Sequence, residues 1–220
     1  MKFVILPFAH YPPEENMEID AELARKSLLD KKFILRWYGW RGLALSLGYS
    51  QCKEVEKFPF PLKKICRPTG GGILLHGWDI SFALTTPVGF FDNFLKLYRF
   101  VALTFVETFQ AIGIEGVNYS RNKKGNYKSL LFCWAVPTFG EVTFKNKKLV
   151  SAAVREFKKE NFLIHGSVYI KLNEKFLKTK LLNYGEQMLK TVATLNEIKV
   201  KKSLLMEKFT QKLEEKLKKL

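Results

Sequence analysis

The sequence is poor in the side chains that most often bind metals or form covalent cross-links. It has 220 residues, with three cysteines and three histidines. Cys52, Cys66 and Cys133 form neither a CxxC pair nor an even set. We therefore expect no zinc cluster, no other metal site and no disulfide framework. This cysteine usage fits a reducing, cytoplasmic location best.

Long apolar runs are missing as well. A transmembrane helix needs about 20 consecutive apolar residues, and no run in the sequence reaches that length. The first apolar stretch is interrupted by Pro7, Pro12 and Pro13, and no small-residue cleavage site follows it. We therefore interpret it as a first strand rather than a signal peptide, and we expect no association with a membrane.

Acidic side chains are outnumbered by basic ones. The chain carries 37 Lys and Arg against 21 Asp and Glu, which gives a formal net charge of +16. A field of this sign attracts nucleic acid, anionic lipid or an acidic protein, although a well-solvated surface has the same composition. The charge therefore indicates a class of partner and not a fold. Apolar residues make up 47% of the chain, which is enough for one sizeable core.

Segments with strand and helix periodicity are interleaved along the chain. The predicted strands are 2–8, 33–51, 73–87, 129–136, 140–154 with a hairpin at 145–148, and 162–172. The predicted helices are 17–31, 91–114 and the amphipathic tail 199–220. Segment 120–129 is polar and basic, and we expect a mobile loop there. Because many strands are adjacent in sequence, we predict an α+β fold with a mixed, largely antiparallel sheet and packed helices.

A run of three glycines follows Arg67 in "RPTGGG". No Gly-Lys-Ser/Thr follows it, so it is not a Walker P-loop, and it opens no helix as a dinucleotide fingerprint would. A tight turn is one interpretation. A loop that presents bare backbone amides to an anion or a carbonyl is the other.

Three further candidates have structural explanations when each is considered alone. In "LLFCWAV", Cys133 has the surroundings of a buried small hydrophobe. Lys148 has the position of a solvated hairpin lysine, and His165 that of a core histidine. The residues themselves do not decide between these interpretations and a role in chemistry.

Several motifs occur in a fixed order along the chain: "NMEIDAE" (16–22), "RWYGWRGLALSLGYSQ" (36–51), "RPTGGGILLHGWDISFAL" (67–84), "HGSVYI" (165–170) and "TLNEI" (194–198). Their order resembles the lipoate/octanoate-transferring branch of the biotin/lipoate protein ligase superfamily, over almost the whole chain. The resemblance implies a class II synthetase-like catalytic domain over residues 1–198. The helix at 199–220 would pack on it.

A further motif selects between two chemistries known on this scaffold. In "CWAVPTFGE" (133–141), Cys133, Trp134, Pro137 and Glu141 match the pattern of cysteine-dependent octanoyltransferases, and Lys148 follows fifteen positions after Cys133. The resemblance implies that Cys133 is the nucleophile and that Lys148 is its cationic partner. An ammonium close to a thiol favours the reactive thiolate.

The resemblance also implies where the acyl substrate lies. Amides near Gly70–Gly72 or at Ala152 and Ala153 would stabilise the oxyanion, and apolar residues would line a tunnel for the eight-carbon chain. The implied substrate-binding residues are Arg67, Gly70, Gly71, Gly72, Ile73, Leu74, Leu75, His76, Ser151, Ala152, Ala153, His165 and Gly166.

The predicted function is octanoyl transfer in lipoate biosynthesis, from acyl carrier protein through a Cys133 thioester to a lysine of a lipoyl-accepting protein. That acceptor would be glycine cleavage H protein or a 2-oxoacid dehydrogenase subunit, and both partners are typically acidic. This transfer requires no cofactor.

The alternative is a lipoate-protein ligase that uses ATP and Mg to form lipoyl-AMP. Gly72 favours this alternative, because the cysteine-dependent enzymes often carry an arginine there. The sequence also departs from the family pattern at Cys66, Ser151 and Val154, where an arginine, a glycine and a glutamine are usual. A basic adaptor without enzymatic activity and a biotin ligase rank lower, since the sequence has neither a nucleic-acid-binding motif nor a biotin loop.

Overall fold

The computed structural model describes residues 2–30, 32–87, 89–120, 131–136, 140–157 and 161–220. The strands are β1 (Phe3–Tyr11), β2 (Phe33–Trp40), β3 (Ala44–Leu47), β4 (Lys63–Cys66), β5 (Leu74–His76), β6 (Asp79–Pro87), β7 (Val117–Tyr119), β8 (Val142–Phe144), β9 (Lys147–Phe157) and β10 (Asn161–Tyr169). The helices are α1 (Pro13–Asp30), α2 (Phe94–Ala111), α3 (Glu174–Lys180), α4 (Leu182–Thr191) and α5 (Lys202–Leu217), with a 3₁₀ helix at Gln51–Lys57.

Two sheets form the framework. The large sheet has the order β1-β2-β6-β10-β9-β8-β7, and the small one β4-β3-β5. Only β1 with β2 and β3 with β4 run parallel among the described strand pairs, and the remaining pairs are antiparallel. The predicted α+β class with a mixed, largely antiparallel sheet is confirmed.

One face of the large sheet is apolar and is covered by α2 and α5. Successive strand residues point to opposite faces, and Phe82 of β6 points into this core together with Trp37 of β2. Phe105 of α2 and Phe209 of α5 stack with their ring centroids 4.0 Å apart. The tail helix α5 buries Leu205, Phe209, Leu213 and Leu217.

The opposite face of the same sheet carries buried polar side chains and is covered by α1 and the small sheet. Arg36 of β2 donates to Asp20 of α1 over 2.7 Å and to the Asn16 side chain over 2.5 Å. Tyr38 donates to Asp20 over 2.8 Å. α1 is therefore fixed to the sheet by buried hydrogen bonds as well as by the apolar packing of Met17 and Ala24.

Several predicted elements differ from the structure. The strands predicted at 33–51 and 73–87 each divide, at positions where Gly42 and Gly77 have positive φ values of 104° and 121°. The hairpin at 145–148 is confirmed by β8 and β9, whereas α3 and α4 were not predicted. Residues 131–133 form a bridge to Ile73 instead of a strand. Apart from Ser120, the predicted loop 120–129 lies outside the described residues.

The expectation that the cysteines form no disulfide is wrong for two of them. Cys52 and Cys66 are joined, with their Cα atoms 5.7 Å apart. Parallel pairing places Cys66 opposite Leu47 at the end of β3, and the 3₁₀ helix that carries Cys52 starts just beyond that strand. A pairing between segments 14 residues apart in the chain leaves no local signal in the sequence.

Within the described ranges, no helix combines the length and the apolar character needed to span a bilayer. The same residues contain no group of three or more His, Cys, Asp or Glu side chains that could hold a metal ion.

Candidate active site

Cys133 is anchored beside the end of the glycine loop. The Ile73 amide donates to the Leu131 carbonyl over 2.8 Å, and the Cys133 amide donates to the Ile73 carbonyl over 2.9 Å. A Cβ atom at Gly72 would lie only 2.9 Å from the Cys133 nitrogen. The chain itself therefore requires glycine at position 72, because the segment that carries Cys133 passes directly against it.

Lys148 and Glu141 form a buried charge pair next to the Cys133 sulfur. Lys148 Nζ lies 2.8 Å from Glu141 Oε2 and 3.7 Å from Cys133 Sγ, and it also donates to the Cys133 carbonyl. Glu141 Oε1 lies 4.0 Å from the same sulfur. Burial alone would lower the pKa of Lys148, but the negative charges of Cys133 and Glu141 outweigh it and raise that pKa. Lys148 therefore keeps its charge although it is only 2% exposed.

Cys133 lies at the neck between two cavities. An outer cleft of about 400 Å³ is lined by Cys133, Glu141 and Lys148 together with Gly70–Gly72. An inner pocket of about 50 Å³ extends from the same place towards α1. Both cavities are lined by Gly71, Cys133, Ala152 and Ala153.

Cross-strand rows of small side chains form the floor of the inner pocket. Ser167 of β10 lies directly opposite Ser81 of β6 and Ser151 of β9. Ser81 Oγ and Ser167 Oγ are 2.7 Å apart. His165 lies between Ala83 and Ala153 in the next row. Small side chains in adjacent rows leave the space that becomes the pocket.

Arg67 holds the glycine loop in shape. Its guanidinium donates to the Gly70 carbonyl and to the Gly72 carbonyl over 2.7 Å each, and to the Ser46 carbonyl over 2.8 Å. Burial lowers the pKa of Arg67 to about 10, and the charge of Cys133 opposes this shift. Arg67 therefore organises the loop backbone at the edge of the inner pocket.

Two buried histidines are each held between a carboxylate and a hydroxyl. His76 Nδ1 lies 2.8 Å from Asp79 Oδ2 and its Nε2 lies 2.8 Å from Ser46 Oγ. His165 Nδ1 lies 2.9 Å from Asp20 Oδ2 and its Nε2 lies 2.6 Å from Thr69 Oγ1. Both imidazoles thus line the inner pocket with their nitrogens already occupied.

Burial also determines the protonation of His165. It lowers the pKa of His165 below the ordinary value of 6.5, although Asp20 opposes this shift. The ring is therefore neutral at pH 7. A neutral imidazole has one N–H, and the carboxylate of Asp20 can only accept, so the proton belongs on Nδ1 and Thr69 donates to Nε2.

Most of the predicted site residues line one of the two cavities. These are Cys133, Lys148, Arg67, Gly70, Gly71, Gly72, Leu74, His76, Ser151, Ala152, Ala153, His165 and Gly166. Ile73 and Leu75 line neither cavity. They pack with Phe132 and Trp134 in a separate apolar cluster, because successive residues from Ile73 into β5 point alternately to two faces. Pro137 lies outside the described residues.

Sequence reasoning missed Tyr98 and Met17. Tyr98 of α2 lines the outer cleft, and a Cβ atom at Gly140 would lie 2.5 Å from its ring. Burial, followed by the charges of Glu141 and Cys133, raises the pKa of Tyr98 well above the ordinary value. Met17 lines the inner pocket. Both residues belong to helices that are distant in sequence from Cys133. The only signal in the sequence would have been the polar hydroxyl of Tyr98, or the large side chain of Met17, on the buried face of a predicted helix.

The chain resembles known proteins both in sequence and in fold. No protein-family model matches the chain. Octanoyltransferase LipM of Carboxydothermus hydrogenoformans is 27% identical over 193 residues, which cover 79% of this chain and 68% of that protein. Octanoyltransferase LipM of Clostridioides difficile is 29% identical over 204 residues, which cover 83% of this chain and 72% of that protein.

Solved structures share the fold at low sequence identity. A lipoate-protein ligase A bound with ATP matches with a TM-score of 0.74 at 15% identity, over 98% of this chain and 85% of that one. A bi-partite lipoate protein ligase from Thermoplasma acidophilum, studied with its E2 lipoyl domain, gives 0.68 at 16% identity, over 98% and 83%. A biotin protein ligase from Aquifex aeolicus gives 0.52 at 14%, over 99% and 71%.

Proposed function

We propose that this chain, a member of the biotin/lipoate protein ligase superfamily, is a protein octanoyltransferase that works through a thioester on Cys133. The observation that carries this proposal is the placement of Cys133 Sγ. It lies 3.7 Å from the Lys148 ammonium, at the neck between an open cleft and an inner pocket. In this proposal residues 1–198 form the catalytic unit and α5 braces it from the apolar side.

The reaction has two balanced steps. Cys133 Sγ attacks the carbonyl carbon of an octanoyl thioester, and the carrier sulfur leaves with the proton that Cys133 gives up. The neutral ε-amino group of the acceptor lysine then attacks the carbonyl carbon of the new thioester, and the Cys133 sulfur leaves with the proton that the nitrogen gives up as the amide forms. Lys148 stabilises negative charge on the sulfur in both steps. No cofactor is required, because the thioester donor supplies the activated acyl group.

Each attack places negative charge on the carbonyl oxygen, and backbone amides are available to donate hydrogen bonds to this oxyanion. Tyr98 Oη donates to the Ala152 carbonyl over 3.3 Å. The N–H and the C=O of one strand residue point to the same edge, and β8 pairs with β9 only as far as Val150. The Ala152 amide therefore points to the cleft, where it can donate to the oxyanion. Gly70, Gly71 and Gly72 donate no hydrogen bond from their amides within the described ranges.

The two cavities divide the substrate between them. The inner pocket takes the acyl chain, since Cys133 is one of its lining residues, and each buried methylene stabilises the complex by about 0.8 kcal/mol. The outer cleft takes the arm of the donor and, later, the acceptor lysine. Acyl carrier protein as donor and a lipoyl-accepting domain as acceptor are acidic partners, which the net charge of +16 attracts from solution in a salt-dependent way. We place this reaction in the cytoplasm.

Intact mass spectrometry tests the proposal. After incubation with octanoyl acyl carrier protein, the wild type should gain the mass of one octanoyl group. Cys133→Ala should gain none. Cys66→Ser should still be modified, because Cys66 is bonded to Cys52 and lines neither the outer cleft nor the inner pocket. A wild type that stays unmodified would refute the covalent route.

The ligase alternative loses its sequence support. Gly72 suggested adenylate chemistry, but the contact between this glycine and the Cys133 segment explains it without a nucleotide. Release of pyrophosphate from ATP in the presence of lipoate, undiminished in Cys133→Ala, would nevertheless establish ligation over transfer.

A further inference from the structure

Behind the inner pocket lies a second opening to the surface. A rear cleft of about 730 Å³ runs between α1, β4 and the end of β9, and its walls combine the apolar Ile65 and Phe157 with charged side chains from all three elements. The inner pocket and the rear cleft share two lining residues, Met17 and Arg67. The path from Cys133 through the inner pocket is therefore separated from the rear cleft by these two side chains.

The two side chains of this partition are held in different ways. Arg67 is tied to the carbonyls of the glycine loop and of Ser46, so its position is coupled to the loop. Met17 is only 6% exposed, and its side chain makes no hydrogen bond to the residues that the structure describes. It packs with Tyr38, Ala83 and Leu163. A flexible thioether held by packing alone is the part of the wall that a single substitution can remove.

The surroundings of Met17 are rigid. Asn16 and Asp20, one residue before and three residues after it, both bind Arg36. Asp20 also accepts from Tyr38 over 2.8 Å. α1 is therefore expected to stay in place when the Met17 side chain is shortened, so that the space it occupied becomes part of the pocket.

We propose that Met17 is the residue that limits acyl-chain length, because it closes the distal end of the inner pocket against the rear cleft. The inference rests on the proposed function, in which the acyl chain enters the inner pocket from Cys133. In Met17→Ala the pocket and the rear cleft become continuous, and a chain longer than eight carbons continues along Ile65 and Phe157. Each added methylene that finds apolar contact there should improve acylation roughly fourfold relative to wild type.

The test measures chain-length preference directly. Equimolar mixtures of acyl thioesters with six to fourteen carbons compete for Cys133, and intact mass gives the ratio of adducts. Met17→Ala should raise the ratio of decanoyl to octanoyl adduct about sixteenfold, whereas Met17→Leu, which keeps the volume, should retain the wild-type ratio. Leu213→Ala is the matched control, since Leu213 is fully buried in α5 and lines neither cavity.

The outcomes separate the two proposals. Unchanged ratios in a folded Met17→Ala, or an equal shift in Leu213→Ala, would overturn the role of Met17. Met17→Val should raise the ratio of decanoyl to octanoyl adduct by a smaller factor. This variant replaces Met17→Ala in the test if the alanine variant does not fold. If the wild type forms no adduct with any donor, the covalent function fails. Calorimetric titration with free fatty acids of the same lengths then decides the role of Met17, by whether Met17→Ala favours the longer ones.

Discussion

The two faces of the large sheet are made by alternate residues of the same strands, yet they are held together by different forces. On the α2–α5 face, the rings of Phe82, Phe105 and Phe209 fill the core, and the centroids of the last two are 4.0 Å apart. On the α1 face, Arg36 and Asp20 sit almost fully buried with a distance of 2.7 Å between them. The first face is held by apolar packing, whereas the second carries buried hydrogen-bonded polar groups, several of which line the inner pocket.

The difference has a physical consequence for mutation. Apolar side chains contact one another without direction, so a change that preserves volume costs little. A buried ionic network depends on every member, because the loss of one partner leaves a desolvated charge behind. Buried ionic groups, such as those on the α1 face, are therefore more sensitive than the apolar core, and the predictions below test that asymmetry from the largest expected effect to the smallest.

The largest effect is expected at Lys148. Lys148→Ala removes the ammonium beside Cys133 Sγ and takes the cation at 2.8 Å away from the buried Glu141 carboxylate. Acylation of Cys133 should fall by about 100-fold or more, and the free energy of unfolding should drop by about 3–5 kcal/mol. Rapid-quench mass spectrometry and urea unfolding measure the two quantities.

A double variant separates these two effects. Lys148→Met combined with Glu141→Gln removes both charges, so most of the lost stability should return while acylation stays slow. If the double variant regained the acylation rate, Lys148 would be a structural residue and not part of the chemistry.

The second prediction compares the faces directly. Asp20→Ala leaves the Arg36 guanidinium, which is 3% exposed, without its carboxylate, and should lower the free energy of unfolding by about 3–5 kcal/mol. Phe209→Leu on the opposite face should lower it by about 1.5 kcal/mol or less. Equal losses in urea unfolding would show that the two faces do not differ in sensitivity.

The fold class was accessible from the sequence because it depends on local periodicity. Neighbouring residues alone show the alternation of β6 and β10 and the helical spacing of α2. The structure has these elements where the sequence pattern predicts them. α3 and α4 were missed because they are short and partly exposed, with Leu182 67% accessible to solvent. α4 contacts Phe60 and Trp134 through Tyr184, and α3 contacts Trp78 through Phe176.

The site was accessible only where a motif is contiguous. Cys133, Glu141 and Lys148 lie within sixteen residues and were identified together from the family pattern. Met17 and Tyr98 reach the cavities from helices far away in the chain, so no spacing could reveal them. For Ile73 and Leu75 the sequence identified the right segment but not the face to which each side chain points. Successive side chains in an extended segment point to opposite faces, so Leu74 reaches the pocket and its two neighbours do not.

The smallest effect is expected from the pH dependence of stability on the α1 face. Burial lowers the pKa of His165 below 6.5 in the folded protein, so the unfolded chain binds the proton more readily. Stability from this group is therefore fully present above pH 6.5 and is lost as the pH falls below it, by at most about 1.4 kcal/mol per pH unit. His165→Gln should reduce this slope in urea unfolding at pH 5 to 7, whereas His10→Gln, at an exposed position, should retain it. A His165→Gln slope equal to that of the wild type would mean that the ring is not held neutral by its burial.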